Sequence, residues 1–222
     1  MALTRLGDPA IADIRGVNFR NILINGDMSI AQRGTSASTA SGYQTVDRFQ
    51  FNNSSLGVWT VSQSTTVPTG QGFAKSFKVD CTTADASPAA SDFLFLMQKI
   101  EGQNLQYLKK GTSSAEQLTA SFWVRSNKTG TYICELQDMD NSRTVSKSYT
   151  ISSADTWEKQ TLTFPADTTG AFDNDNANSL QLNLYLAVGS DRSSGTLATT
   201  WASTTAANRA VGQVNLADST SN

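Results

Sequence analysis

From Ser179 to Val188 apolar and polar residues alternate: Leu180, Leu182, Leu184, Leu186 and Val188 fall on one side, and Gln181, Asn183, Tyr185 and Ala187 on the other. A period of two belongs to an extended strand, so one face is expected in a core and the other in water. Residues 119–125 repeat the pattern, with Ala120, Phe122 and Val124 opposite Ser121, Trp123 and Arg125. Residues 131–138 follow after the turn-like Asn127-Lys128-Thr129-Gly130, which predicts a hairpin. Further strands are expected over 45–52, 57–63, 73–80, 93–100, 143–151 and 157–164. Helical spacing is confined to 104–110, where Leu105 and Leu108 lie between Gly102 and Gly111, enough for one or two turns.

About nine strands separated by Gly, Pro, Asn and Asp turns, with no fixed repeat, predict an all-β fold. The expected architecture is a jelly-roll-like two-sheet β-sandwich with an N-terminal arm and at most one short helix. The two ends depart from the pattern. Residues 1–20 carry Leu3, Leu6, Ile11, Ile14 and Val17 without strand alternation, and are expected to form an attachment or oligomerisation arm preceding a sandwich domain over 21–222. Residues 189–222, rich in Ser, Thr, Ala and Asn, are expected to form a long loop.

Composition narrows the chemistry. The chain has 222 residues, 38% hydrophobic and 16% charged, and Ser and Thr supply about a quarter of it, so its polarity comes mainly from uncharged side chains. Seventeen basic and 19 acidic residues leave a net charge of −2, which gives no electrostatic footprint for nucleic acid or an anionic membrane. No apolar run reaches the ~18 residues of a membrane span, and the start lacks the pattern of a secretory signal, so an unprocessed, non-inserted chain is expected. The absence of His removes imidazole-dependent nucleophiles and HExxH zinc chemistry, leaving carboxylate pairs as the remaining catalytic option. Cys81 and Cys134 read as free, buried thiols.

Asn21 to Phe51 contains NILINGDMSIAQRG and then GYQTVDRFQF. This resembles a segment of bacteriophage tail-fibre and other virion structural proteins that carry a jelly-roll domain similar to carbohydrate-binding modules. The resemblance continues through IEGQNL, LTASFWVRSNKTGTY, Thr156-Trp157, FPAD and GQVNLADSTSN, most of the chain. It implies a virion protein without cofactor, usually a homotrimer, receptor-facing as a tail fibre and binding host-surface glycan. A capsid decoration or head-fibre protein anchored to other virion proteins by residues 1–20 is the alternative, and a glycan depolymerase a third. The sequences it resembles continue past a segment like VNLADSTSN into a further strand, so either a strand is missing here or a neighbouring segment takes its place.

Read from its own residues, the motif predicts a short strand at Ile22 to Ile24 and a turn at Asn25-Gly26-Asp27 in which Gly26 supplies a positive φ. Arg33 or Arg48 is expected to pair with Asp47, with Gln32 beside them, so these polar groups are read as structural. For glycan contact the candidates are Trp59, Trp123, Tyr185 and Trp201, because a flat aromatic face suits the CH face of a sugar ring. Glu135 shares a face with Ile133 and Gln137 and is expected to be wet. The run Asp173-Asn174-Asp175-Asn176-Ala177-Asn178 begins like a calcium loop, but lacks the Gly and terminal Glu of one and reads as a solvated turn. No metal, no cofactor and no enzymatic role are expected.

Overall fold

The computed structural model describes residues 21–38 and 41–222. The expected arm over 1–20 lies outside the described residues. Among the described residues there are eleven strands: β1 (Ser36–Ser38), β2 (Phe49–Asn53), β3 (Val58–Ser64), β4 (Ser76–Thr83), β5 (Phe93–Glu101), β6 (Leu118–Val124), β7 (Gly130–Asp138), β8 (Arg143–Ile151), β9 (Glu158–Phe164), β10 (Asn178–Val188) and β11 (Ala202–Ser203). Short 3-10 turns, among them Gly102–Asn104 and Gln106–Leu108, stand where helical spacing was seen.

The strands form an all-β sandwich. One layer is an antiparallel sheet ordered β11-β8-β7-β10-β5-β2; facing it are the sheet β1-β3-β4 and the ribbon β6-β9. One apolar core joins the layers: Phe51, Leu94, Tyr132, Cys134, Leu180 and Leu182 meet Trp59, Val61, Cys81, Phe164 and the half-buried Phe122. Aromatic pairs fix the stacking, with Phe51 at 6.4 Å from Trp59 and Phe122 edge-on to Tyr149 at 5.2 Å.

Three local expectations are corrected. β6 and β7 do not form a hairpin: β6 pairs with β9 and β7 with β8, so residues 125–129 cross from one layer to the other. Ile22 to Ile24 is not a strand but a bent segment, held where the buried Gln98 amide accepts from Ile24 N at 2.8 Å and donates to its carbonyl at 3.1 Å. The positive φ angles of the following turn belong to Asn25 (59°) and Met28 (59°), not to Gly26. At Gly26 it is space that is short, since a Cβ there would stand 2.7 Å from the Asn21 side chain.

Residues 189–222 form the expected long loop, irregular apart from short 3-10 turns and the two-residue β11, but the loop is packed on the sheet. Residues 189–217 cross the outer face of the six-stranded sheet as an ordered strap: Ala198 accepts from Ser146 N at 2.7 Å, Gln213 Oε1 from Ile133 N at 2.8 Å, and Val214 N donates to Thr131 at 3.0 Å. A second apolar cluster of Ile133, Tyr185 and Ala210 forms beneath it. The polar face of β10 is therefore buried, and Asn183 and Tyr185 are both 0% exposed.

Candidate functional site

The strap decides the fate of the sequence-derived candidates. Tyr185, expected on a wet face, is buried and donates its hydroxyl to Glu135 Oε2 at 3.0 Å. Glu135, also expected to be wet, is fully buried and takes further hydrogen bonds from Thr144 Oγ1 at 2.6 Å, Asn183 Nδ2 at 2.9 Å and the Arg209 guanidinium. Burial alone would raise its pKa; the hydrogen bonds and charge of Arg209 outweigh this and hold it below the ordinary carboxylate value. Trp59 is likewise 0% exposed, its indole N–H given to Leu56 O at 2.6 Å inside the core. Neither Trp59 nor Tyr185 reaches solvent, because each shares an alternating face that a second layer covers.

Trp123 and Trp201 are half-buried and lie apart. Trp123 stands on the polar side of β6, across from Lys159 of β9. Trp201 gives its N–H to Pro165 O at 2.8 Å and lies 5.3 Å from the Lys110 ammonium. That ammonium is itself buried in a cage of oxygens: Asp138 Oδ2 at 2.6 Å, Asp167 Oδ2 at 3.1 Å, Thr169 O at 2.9 Å and Gly170 O at 2.8 Å. Arg143 completes the group with two bonds to Asp167, at 2.7 and 3.0 Å. Asp138 and Asp167 are thus two near carboxylates, but both are buried and both are neutralised by cations of the chain. Among the described residues no cluster of three or more His, Cys, Asp or Glu is arranged to hold a metal ion.

The four aromatic candidates are not brought together; the motif residues are. Asn25, in a left-handed conformation, donates from Nδ2 to Ile30 O and Asp47 O, each at 2.9 Å, and accepts from Ile30 N at 2.9 Å. One amide therefore ties residues 25–30 to the start of β2. Asp27 accepts from Ser29 Oγ at 3.1 Å within the same turn. Asp47 Oδ1 lies 3.4 Å from Arg33 Nη1 and 3.3 Å from Gln32 N. Arg48 turns away to Glu101 on β5, at 2.7 and 3.0 Å. Burial pushes the Glu101 carboxyl up, but Arg48 prevails and lowers it.

Around this framework opens a depression of about 600 Å³, lined by Gln32, Arg33, Tyr43, Asp47 and Arg48 from the motif and by Lys99, Glu101, Asn176 and Asn178 from the neighbouring β5 and the turn before β10. Its chemistry is mixed. The Arg33 guanidinium lies 5.8 Å from the centre of the Tyr43 ring, and its side chain remains 57% exposed. Ile24 and Ile30 add exposed apolar area. A flat ring, several amides, two carboxylates and three cations suit a ligand that offers hydroxyls and a CH surface together. Tyr43 stood inside the quoted motif and could have been chosen from it; Lys99, Glu101 and Asn178 join the site only through sheet pairing, which no local pattern encodes.

No family model and no curated protein matches the chain. Among solved structures the chain is similar to the bacteriophage CBA120 tailspike protein 4 enzymatically active domain, with 16% identity and a TM-score of 0.43 over 76% of this chain. The chain spans 19% of that structure's length. The expectation that the chain has no enzymatic role is corrected here: the similar structure is described as enzymatically active, and that expectation is not carried further. A likeness at this level transfers no activity either.

Proposed function

We propose that the chain is a structural component of a phage virion, a tail-fibre or receptor-binding module, and that it contacts host-surface glycan through the depression around Arg33 and Tyr43. The observation that carries this reading is the convergence of the motif: Gln32, Arg33, Tyr43, Asp47 and Arg48, which the virion-protein resemblance picked out in order and spacing, line one open depression. Polar groups that served only to hold a turn would be saturated, as Asn25 is. Arg33 and Tyr43 instead keep exposed surface over the tied turn.

A shallow site of this kind binds weakly by itself, and three copies on one particle raise the effective concentration. Trimeric assembly, with residues 1–20 attaching each copy to another virion protein, belongs to the same proposal. The test is adsorption of the purified chain to host cells and to extracted surface polysaccharide, comparing the wild type with Arg33→Ala and Tyr43→Ala. Loss of binding in both variants with an unchanged melting temperature supports the reading. Binding that survives both substitutions, or binding to phage capsids but not to cells, overturns it.

A further inference from the structure

The cage around Lys110 holds an amine against a carboxyl group out of water. The Lys110 side chain is 5% exposed and that of Asp138 0%, and Nζ lies 2.6 Å from Asp138 Oδ2. The ring centres of Phe172 and Trp201 stand 5.2 and 5.3 Å from Nζ, and Leu108 and Leu118 extend the apolar wall. An amine and a carboxyl fixed at contact distance by the fold, with water kept away, are the two halves of an amide.

The surrounding groups match what amide formation requires. Asp138 Oδ1 accepts from the main-chain N–H groups of Asp140 and Asn141, each at 3.0 Å. Negative charge developing on this oxygen when the carboxyl carbon is attacked is therefore already met by two fixed donors. Oδ2, the oxygen facing Nζ, takes a further bond from Asn141 Nδ2 at 2.9 Å. Asp167 Oδ2 lies 3.1 Å from Nζ, and Arg143 and Thr169 N hold this second carboxylate in place as a base within reach of the amine. Beside Lys110 and Asp167 lies a cavity of about 10 Å³, roughly the space of one water.

We propose that Lys110 and Asp138 join in an intramolecular isopeptide bond. Asp167 takes one proton from Nζ, and the freed lone pair attacks Asp138 Cγ. A second proton passes from Nζ to Oδ2, Asp167 returns the first to the same oxygen, and the Cγ–Oδ2 bond breaks as water leaves. One cation and one anion disappear together, so charge balances without an oxidant, reductant or cofactor, and Asp167 ends as the carboxylate it began. In the product Oδ1 keeps its two main-chain donors, and the amide N–H keeps a carbonyl of Thr169 or Gly170 as acceptor. The ion pair is the unreacted state of the same cage. The bond closes residues 110–138 into a covalent loop that contains β6 of one layer and β7 of the other, and constrains the unfolded chain as a disulfide does. The proposal stands on the interior geometry, independently of the glycan reading.

The test is the intact mass of the purified full chain, denatured after prolonged incubation at neutral pH, followed by tandem mass spectrometry of its tryptic digest. The expected result is a chain lighter than its sequence by one water, and a branched peptide in which Lys110 is joined to Asp138. Lys110→Arg keeps a cation but offers no amine to acylate, and is expected to retain the full mass. The wild-type digest decides by itself should that variant fail to fold. A wild-type chain of full mass overturns the proposal, as does a loss of water that the digest places on a cyclised Asp or on any residue other than the Lys110–Asp138 pair.

Discussion

Arg209 closes on Glu135 with Nε 2.8 Å from Oε1 and Nη2 2.7 Å from Oε2, joining the strap to the middle of β7. The same guanidinium reaches Gln137 Oε1 at 2.6 Å, and Ser146 Oγ donates to the Arg209 carbonyl at 2.7 Å. A carboxylate with no exposed surface in a sheet is tolerable only when it is paired and its lone pairs are filled, and here Arg209, Thr144, Asn183 and Tyr185 fill them.

Removing the cation should therefore cost more than removing the pair. Arg209→Met leaves Glu135 buried without a counter-charge and is expected to destabilise the fold by about 3–5 kcal/mol. Adding Glu135→Gln to that variant restores part of the loss. Urea unfolding of the two single variants and the double variant checks this; additive single effects would mean that the two groups are not coupled.

Lys110 is a second buried charge held by ion pairs. Its ammonium has four oxygens within 3.1 Å and two aromatic rings, Phe172 and Trp201, at 5.2 and 5.3 Å. Lys110→Met retains much of the packing but leaves Asp138 without its cation, and is expected to cost about 3–5 kcal/mol. Arg143→Met should cost less, because Asp167 keeps Lys110. Reversal of that order in thermal unfolding would refute the cage as the dominant anchor.

The alternation of the chain revealed strand positions well, since the core face of a strand is a local property. It did not reveal partners. Nothing near 119–138 says that β6 pairs forward with β9, because register is set by which faces meet across the core. Nor did it reveal the strap: Gln181, Asn183 and Tyr185 are polar, and a polar face reads as wet until another segment satisfies its hydrogen bonds. The burial of Trp59, by contrast, is legible, since it shares a period-two face with Val61. At the candidate site, the tied turn and the Arg33–Asp47 contact lie within one stretch of sequence, whereas Lys99 and Glu101 arrive from β5, a separation only the folded sheet closes.

The ionisable groups set a stability plateau with two edges. The carboxyls of Glu101, Glu135, Asp167 and Asp218 are held below their ordinary values, with burial opposing and Arg48, Arg209, Arg143 and Lys128 respectively among the groups lowering them. Between the folded and unfolded values the unfolded chain holds more protons, so stability is lost as pH falls below about 4.5 and through the lowered values. Cys134, Tyr149 and Tyr185 are shifted the other way, chiefly by burial. Their folded forms keep the proton longer, so stability falls again as pH rises beyond about 9. With no His in the chain, the melting temperature is expected to be flat from about pH 5 to pH 8. A step near pH 6.5 would contradict this account.

At Asn25 the fold and the proposed binding surface meet. The Asn25 φ of 59° lies in the left-handed region, where Asn is tolerated far better than a residue whose side chain cannot bond locally. Its amide makes three hydrogen bonds that hold residues 25–30 against Asp47. Asn25→Ala loses all three and keeps the strained backbone, so a loss of about 2–3 kcal/mol is expected. Asn25→Gly loses the same bonds without the strain, and should cost about 1 kcal/mol less. Because Arg33 meets Asp47 and Asp47 is placed by Asn25, both variants should also weaken cell adsorption at temperatures where they remain folded, Ala more than Gly. Unfolding midpoints and adsorption measured on the same three proteins test this, and adsorption that is unchanged in a folded but destabilised Asn25→Ala variant would detach the motif turn from the binding surface.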